Sequence, residues 1–535
     1  MKQMAPLAER IPHLVKFGKV KGQNRGKDAF EKIRTIKDDY FWLRDDTRTS
    51  EKVLNHLRKE NQYATRHTAH LDDLRKSLYE EHLSHLKETD DAAPYIHGNF
   101  WYFTKTVEGK SYKIYCRRKR SREGQRLMTD EAGPVEELLD VNLLAKDLKH
   151  CDVRSFNMSP DHSVAAFALD ASGDEVYEIR VLDVTSNTFV KDESLPKQAV
   201  GNVRFGKDSK TLFFLTQDDT KRPYRVYRLR IGSKPELLFE ESDPQFWVGM
   251  WRSRCGDFLF VQTASTETSE VHALDLCEDS NVLRVIQPRQ FGLRYDVASD
   301  PISKSFIVVT NKDDSLNNRL MITPTSSPNM SSWVELLAHS ESRRIDHVYV
   351  FKNHLVIEGR ESSLPQVWTV KREGKDFEIK TLSCVKLGAD DELCDVSVGG
   401  GNKEFQTEFL NISYSSLTVP NTVLDMNMND FSNIHVIKKT PVLNFDSNEY
   451  VSRRFFAVAP DKTKIPMSLV CRKDVWDLKS DLKAPKPVHL YGYGSYGICI
   501  DPYFRRDILP LLDRGMIFAI AHIRGGGENG RYWCT

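Results

Sequence analysis

The stretch Val488-His489-Leu490-Tyr491-Gly492-Tyr493-Gly494-Ser495-Tyr496-Gly497 opens on a short apolar run and closes in a glycine-rich loop. The same grammar returns in residues 516–523, Met-Ile-Phe-Ala-Ile-Ala-His-Ile, followed by Arg524-Gly525-Gly526-Gly527-Glu528. Two nearly continuous apolar runs bounded by Gly and charged turns predict buried parallel strands, because a strand covered on both faces loses its in/out alternation. Each run feeds a loop at its carboxyl end, the place where open α/β sheets hold ligands. Upstream, residues 455–459 and 465–470 predict two further strands. Residues 502–514, with Ile508, Leu509, Leu511 and Leu512, predict a helix between the last two strands. A mixed α/β region therefore starts after about Lys438, expected to span residues 439–535.

Ahead of it, from Asp90 onward, the hydrophobic period is two, and short strand-like runs alternate with Gly, Asn, Asp, Ser and Pro. Units of two or three strand signals begin near Tyr95, Phe156, Gly201, Phe246, Phe291, Arg344 and Glu404. Recurring pieces such as residues 176–182 and 227–229, at spacings typical of four-stranded blades, predict a seven-bladed β-propeller over residues 90–438. An irregular all-β stack of two domains is the alternative. Before residue 90, an aromatic and acidic knot at residues 38–46 precedes a helical pattern that Ser50 can cap, with Leu71, Leu74 and Leu78 on one face out to about Lys87. A propeller between this segment and the α/β region implies that the N-terminal segment and its helix (residues 1–89) pack back on the α/β part.

Composition excludes more than it identifies. At 535 residues the chain exceeds one hydrophobic core. Lys and Arg number 77 against 76 Asp and Glu, so no global field draws it to nucleic acid or an anionic membrane. Residues 1–27 hold no signal-like apolar core and no later run approaches a membrane span. Nine cysteines without a Cys-x-x-Cys pair suit reduced thiols that serve in packing, and the expected location is cytoplasmic.

Arg10-Ile11-Pro12-His13, the 40–46 knot, Val419-Pro420-Asn421-Thr422, the 490–497 loop, Leu512-Asp513-Arg514-Gly515 and His522-Ile523-Arg524-Gly525-Gly526-Gly527-Glu528 together resemble the prolyl oligopeptidase family, on its oligopeptidase B branch. The resemblance runs from about Leu7 onward. It implies a β-propeller covering an α/β-hydrolase domain, a serine endopeptidase acting on short peptides after Arg or Lys, and no cofactor. It also implies that Tyr493 matches a tyrosine whose hydroxyl helps form an oxyanion hole, and that Tyr496 matches a position lining the specificity pocket. A buried aromatic under a Gly turn is the other reading of Tyr493, and plain packing that of Tyr496.

The chain departs from the family where the chemistry is most demanding. Nucleophilic serine catalysis needs a Ser at a strand-to-helix elbow, a His base and a carboxylate, and Gly-x-Ser-x-Gly occurs nowhere in the sequence. Ser495 has Tyr493, not Gly, two residues before it. In the resemblance Ser, Asp and His fall past Thr535, so the α/β-hydrolase part is expected to be incomplete and the chain inactive. A non-catalytic, propeller-based binding or regulatory protein is the alternative.

Other clusters are weaker. His67 with His70 and His82 with His85 have ligand spacing without a completing Cys or carboxylate, so exposed helix histidines are expected rather than a metal. Residues 117–122, Arg-Arg-Lys-Arg-Ser-Arg, predict a solvated blade turn rather than a nucleic-acid patch. Lys16 to Lys27 predicts a flexible loop, and Gly399-Gly400-Gly401 a propeller turn. Arg524 and Glu528, on a loop of close backbone approach, could pair with each other or with the expected missing region.

Overall fold

The computed structural model describes residues 4–23, 29–122, 124–129, 132–278, 281–387, 393–480, 482 and 484–534. The chain divides into two compact units, residues 1–84 with 242–245, and residues 85–241 with 246–535.

In the first unit, His13–Phe17 pairs antiparallel with Arg34–Asp38. Lys16 thus lies in a strand rather than the expected loop, and residues 24–27 of that expectation lie outside the described residues. The acidic and aromatic knot is a hydrogen-bonded corner. Trp42 Nε1 donates to the Glu9 carbonyl at 2.7 Å, and Arg10 Nε to the Tyr40 hydroxyl at 3.0 Å. The helical pattern forms as Glu51–Thr68 and Asp72–Ser84, broken by a 3-10 turn at Ala69–Leu71. Ser50 occupies the N-cap without a capping bond from its hydroxyl. Its own N–H instead donates to Asp45 Oδ2 at 2.6 Å.

The second unit carries seven successive antiparallel meanders among the described residues, each paired in chain order. Their first strands are Tyr95–His97, Asp152–Met158, Ala199–Phe205, Trp247–Arg252, Tyr295–Asp300, Arg343–Val350 and Cys394–Val398. Six begin within a few residues of the expected starts. The seventh begins ten residues before Glu404, which lies in the turn after that strand. Each meander holds four strands or more, not two or three. The missed ones are short outer strands such as Thr188–Phe189 and Arg284–Val285, exposed at every position. Second strands are the opposite case. Ser305–Thr310 is buried at all six positions because a meander packs on each of its faces, and its sequence accordingly runs Phe-Ile-Val-Val without alternation. The apolar core lies between neighbouring meanders; Phe213, Leu215 and Val226 of the third meet Val248, Met250 and Val261 of the fourth.

The ring closes by side chains. The Gly98 N–H, in the first meander, donates to Glu404 Oε1 at 2.7 Å. Arg126 pairs with Asp425 and lies over the Phe409 ring at 4.6 Å. First strands pack on first strands of the next meander, for example Asp152–Met158 on Ala199–Phe205, so they line the axis of a β-propeller.

The C-terminal sheet runs in the order Tyr450–Val458, Lys464–Arg472, Ile517–Ala521, Val488–Tyr491. Only the last pair is parallel, with Leu490 opposite Ala519. Ile517 to Ile520 are buried as expected, but Val488 and Leu490, on an edge strand, are 52% and 61% exposed, because no described element covers the face on which they stand. The expected 502–514 helix reduces to a 3-10 turn, Arg506–Ile508, running into Leu509–Leu512. Pro510 can be tolerated only in a first helical turn, and Gly515, at φ 81°, ends the segment. Ile508, Leu509 and Leu512 still pack on Phe518, Ile520 and Tyr450.

This sheet is joined to one face of the propeller. Arg360 binds Asp501 through both guanidinium nitrogens at 2.8 and 2.5 Å, and Asn317 Oδ1 accepts the Arg531 N–H at 2.9 Å. The Phe504 N–H donates to Ser415 Oγ at 2.9 Å.

Candidate active site

The two glycine-rich loops leave the carboxyl ends of the parallel pair Val488–Tyr491 and Ile517–Ala521 and lock together. The Gly497 N–H donates to the Gly525 carbonyl at 2.9 Å, and the Gly525 N–H to the Trp533 carbonyl at 2.8 Å. Gly525 has φ 91°, and a Cβ there would fall far inside van der Waals contact distance of the Gly494 carbonyl oxygen. A Cβ on Gly494, itself at φ 60°, would strike Ile523 and the Arg524 carbonyl. Two backbones approach here as only glycines allow. Arg344 of the sixth meander fixes the assembly from the propeller side, donating from Nη1 to the Gly527 carbonyl at 2.6 Å while its other nitrogens hold Asp346 at 2.6 and 3.0 Å.

The loop so held presents two tyrosines. Tyr493 is 45% exposed and Tyr496 84%, the latter at a left-handed φ of 56°, so neither ring is buried. Ser495 has its carbonyl engaged by the Ile498 N–H at 3.1 Å and sits in the turn between the two rings.

Beneath the loops lies a polar array that sequence reasoning missed. Ser468 Oγ is 2.8 Å from His522 Nε2, and His522 Nδ1 is 3.8 Å from Glu528 Oε1, wider than a hydrogen bond. Glu528 Oε1 accepts the Ile500 N–H at 2.9 Å. Burial pushes the Glu528 carboxyl up, but His522 and the Ile500 N–H outweigh it and hold the carboxyl below its ordinary value. The order Ser, His, carboxylate is that of a triad, yet the three residues are 1%, 2% and 3% exposed, and no substrate reaches Ser468. The array ties Lys464–Arg472 and Ile517–Ala521 to the second loop. Arg524 and Glu528 do not pair with each other; Arg524 binds Asp461. A buried Ser and His facing each other across neighbouring antiparallel strands left no mark in a one-dimensional reading.

The other candidates resolve individually. Arg117 and Arg118 belong to the strand Ile114–Lys119 rather than a turn. Arg117 lies over the Phe100 ring at 4.3 Å and holds Glu136 at 2.7 Å, so the basic run is largely engaged within its own blade. His67 stacks on Tyr63 at 5.4 Å. His85, past the helix end, is buried rather than exposed, with Nδ1 2.9 Å from the Leu443 carbonyl. All nine cysteines are free, and Cys277 is exposed rather than packed. Gly399–Gly401 lies in the turn after Cys394–Val398. Among the described residues no group of three His, Cys, Asp or Glu is placed to hold a metal, and no helix is long and apolar enough to cross a membrane.

Comparison with known proteins agrees with this architecture. Residues 21–438 match the prolyl oligopeptidase N-terminal beta-propeller domain. The chain is 32% identical over 508 residues to dipeptidyl aminopeptidase BI of Pseudoxanthomonas mexicana, covering 93% of this chain and 67% of the relative. It is 30% identical over 532 residues to protease 2 of Moraxella lacunata, covering 99% and 71%. Oligopeptidase B from Leishmania major superposes with a TM-score of 0.91 at 37% identity, over 99% of this chain and 73% of that one. The closed form of oligopeptidase B from Trypanosoma brucei with covalently bound antipain gives 0.89 at 38% identity, with the same coverage. This chain belongs to the prolyl oligopeptidase family of serine peptidases.

Proposed function

We propose that the chain supplies the propeller (residues 90–438) and the opening part of the α/β-hydrolase domain (residues 439–535, with 1–89) of an oligopeptidase B-type serine endopeptidase. Its substrates are short peptides cut after Arg or Lys. The observation that carries this reading is the pair of interlocked glycine loops at the ends of two parallel strands, holding Tyr493 half exposed. In that role the Tyr493 hydroxyl donates to the oxyanion of the tetrahedral intermediate, and Tyr496 forms one wall of the pocket for the basic side chain. A preorganised donor of this kind is worth about 3 kcal/mol in the transition state. The nucleophile, its base and its carboxylate are not among these residues: Gly-x-Ser-x-Gly is absent and the Ser468-His522-Glu528 array is buried. The 535 residues alone are therefore inactive.

The test is hydrolysis of a short Arg-containing fluorogenic peptide by the purified chain, with a serine-directed covalent probe followed by mass spectrometry. Neither turnover nor labelling is expected; labelled Ser495 or Ser468 would overturn the assignment of roles. Reading the gene beyond the Thr535 codon separates the two functional readings. An open frame encoding Gly-x-Ser-x-Gly supports the peptidase, and an immediate stop supports a non-catalytic propeller-based binding protein.

A further inference from the structure

The propeller's inner strands all run the same way, so their carboxyl ends gather at one mouth of the axial channel. The α/β sheet is joined to the other end: Arg344 begins its inner strand, while Asn317, Ser363 and Ser415 stand in or beside turns that return to that face. At the opposite mouth the chain places Arg204 and Arg252 at the ends of Ala199–Phe205 and Trp247–Arg252, Arg254 just beyond, and Lys403 in the turn after Cys394–Val398.

Among the described residues none of these four cations makes an ion pair. Arg254 lies 4.5 Å over the Phe351 ring and 5.5 Å from the Tyr349 ring, and its Nη1 is buried with no hydrogen-bond partner. Arg204 donates from Nη1 only to the carbonyl of its neighbour Val203, at 2.9 Å. Arg252 reaches the Gly256 carbonyl at 3.3 and 3.2 Å. Lys403 sits over Tyr95 at 5.6 Å and is in part exposed to solvent. Burial lowers the ordinary values of all four, that of Arg254 to about 10, and Arg204 and Arg254 depress Lys403 further by direct repulsion. The same field, through Lys403 and Arg252, adds to burial and to His162 in holding His97 neutral down to about 4.

Nearby carboxylates are occupied elsewhere. Glu404 accepts the Gly98 N–H at 2.7 Å, Asp257 holds Lys207 at 2.8 Å, and Glu358 accepts from the Tyr349 hydroxyl at 2.6 Å. Asp296 faces His347, with Oδ2 4.0 Å from Nδ1. A half-buried group of like charges with no carboxylate in ion-pair contact raises the energy of the fold. A bound anion relieves that energy, and three guanidinium forks with one ammonium suit a compact anion carrying several charges on tetrahedral oxygens.

We propose that this mouth of the propeller channel binds a multivalent phosphate, a polyphosphate chain or the phosphate chain of a nucleotide, through Arg204, Arg252, Arg254 and Lys403. The site is independent of the peptidase reading.

Isothermal titration and thermal unfolding of the full chain with tripolyphosphate, with ionic strength matched by chloride, test it. The expected result is 1:1 binding that weakens as salt rises and a higher unfolding midpoint that chloride does not reproduce. Arg254→Met and Lys403→Met should each weaken binding at least tenfold, while raising or preserving the midpoint of the unliganded protein. Lys403, being in part exposed, keeps the test valid if Arg254→Met fails to fold. Comparable affinity for tripolyphosphate and ATP assigns recognition to the phosphate chain. Absence of binding at millimolar tripolyphosphate, binding of ATP alone, or unchanged affinity in both variants would overturn the proposal.

Discussion

Gly525 shows how much one missing methyl group decides. At φ 91°, with its α-carbon turned against the Gly494 carbonyl, it lets two loops share hydrogen bonds that an alanine would force apart. Gly525→Ala is expected to lower unfolding free energy by ~2 kcal/mol or more, combining left-handed strain with the clash, and chemical denaturation measures it. Gly400, with nothing near its α-carbon, provides the control, and Gly400→Ala should change stability little. Under the proposed oxyanion role, Tyr493→Phe in a form of the protein that turns over peptide should lower kcat about 100-fold and leave KM nearly unchanged. A role in packing alone would leave kcat intact. At this scale the sequence was legible where glycine spacing announces close backbone approach. It was silent on Ser468, His522 and Glu528, whose meeting depends on which strands become neighbours.

Among elements, the strand Val488–Tyr491 combines apolar side chains with an edge position. Leu490 is 61% exposed, and a short, uncharged edge is a template for pairing with another chain. Leu490→Lys should slow aggregation of the 535-residue chain in light scattering while altering its unfolding midpoint little; unchanged aggregation would remove the edge as its cause. The apolar run predicted the strand, yet the same run predicted burial, which failed because burial depends on what packs over the faces of the sheet. The short outer strands of the meanders were illegible for a related reason. Two exposed residues such as Arg284–Val285 carry no hydrophobic period, and only the ladder beside them makes them a strand.

Over the whole molecule, ring closure depends on contacts between segments about 300 residues apart. Arg126 and Asp425 are both largely buried, and removing one partner strands the other. Asp425→Ala should therefore destabilise the propeller by about 3 kcal/mol, read from chemical denaturation. The join between propeller and sheet carries a pH dependence. Burial, then Asp501, raises the Asp395 carboxyl from 3.8 to about 6, with Glu358 adding and Arg360 opposing. Between those values the folded state binds more protons than the unfolded, so this group's contribution to stability falls as pH rises to about 6 and stays low above it. Asp395→Asn should raise the unfolding midpoint at pH 8 relative to the native chain and lose that advantage near pH 4; an equal effect at both would show that Asp395 does not titrate in this range. Periodicity by itself determined that a repeated β region precedes a mixed sheet, because period two and apolar runs are local consequences of what each residue faces. The loop glycines likewise announced where two backbones meet. Only the tertiary structure decided which face of the ring receives the sheet, which strand is left at the edge, and that Arg204, Arg252, Arg254 and Lys403, spread over 200 residues of chain, gather at one mouth. Those outcomes follow from the closing of the ring, a long-range event that no short window of sequence contains.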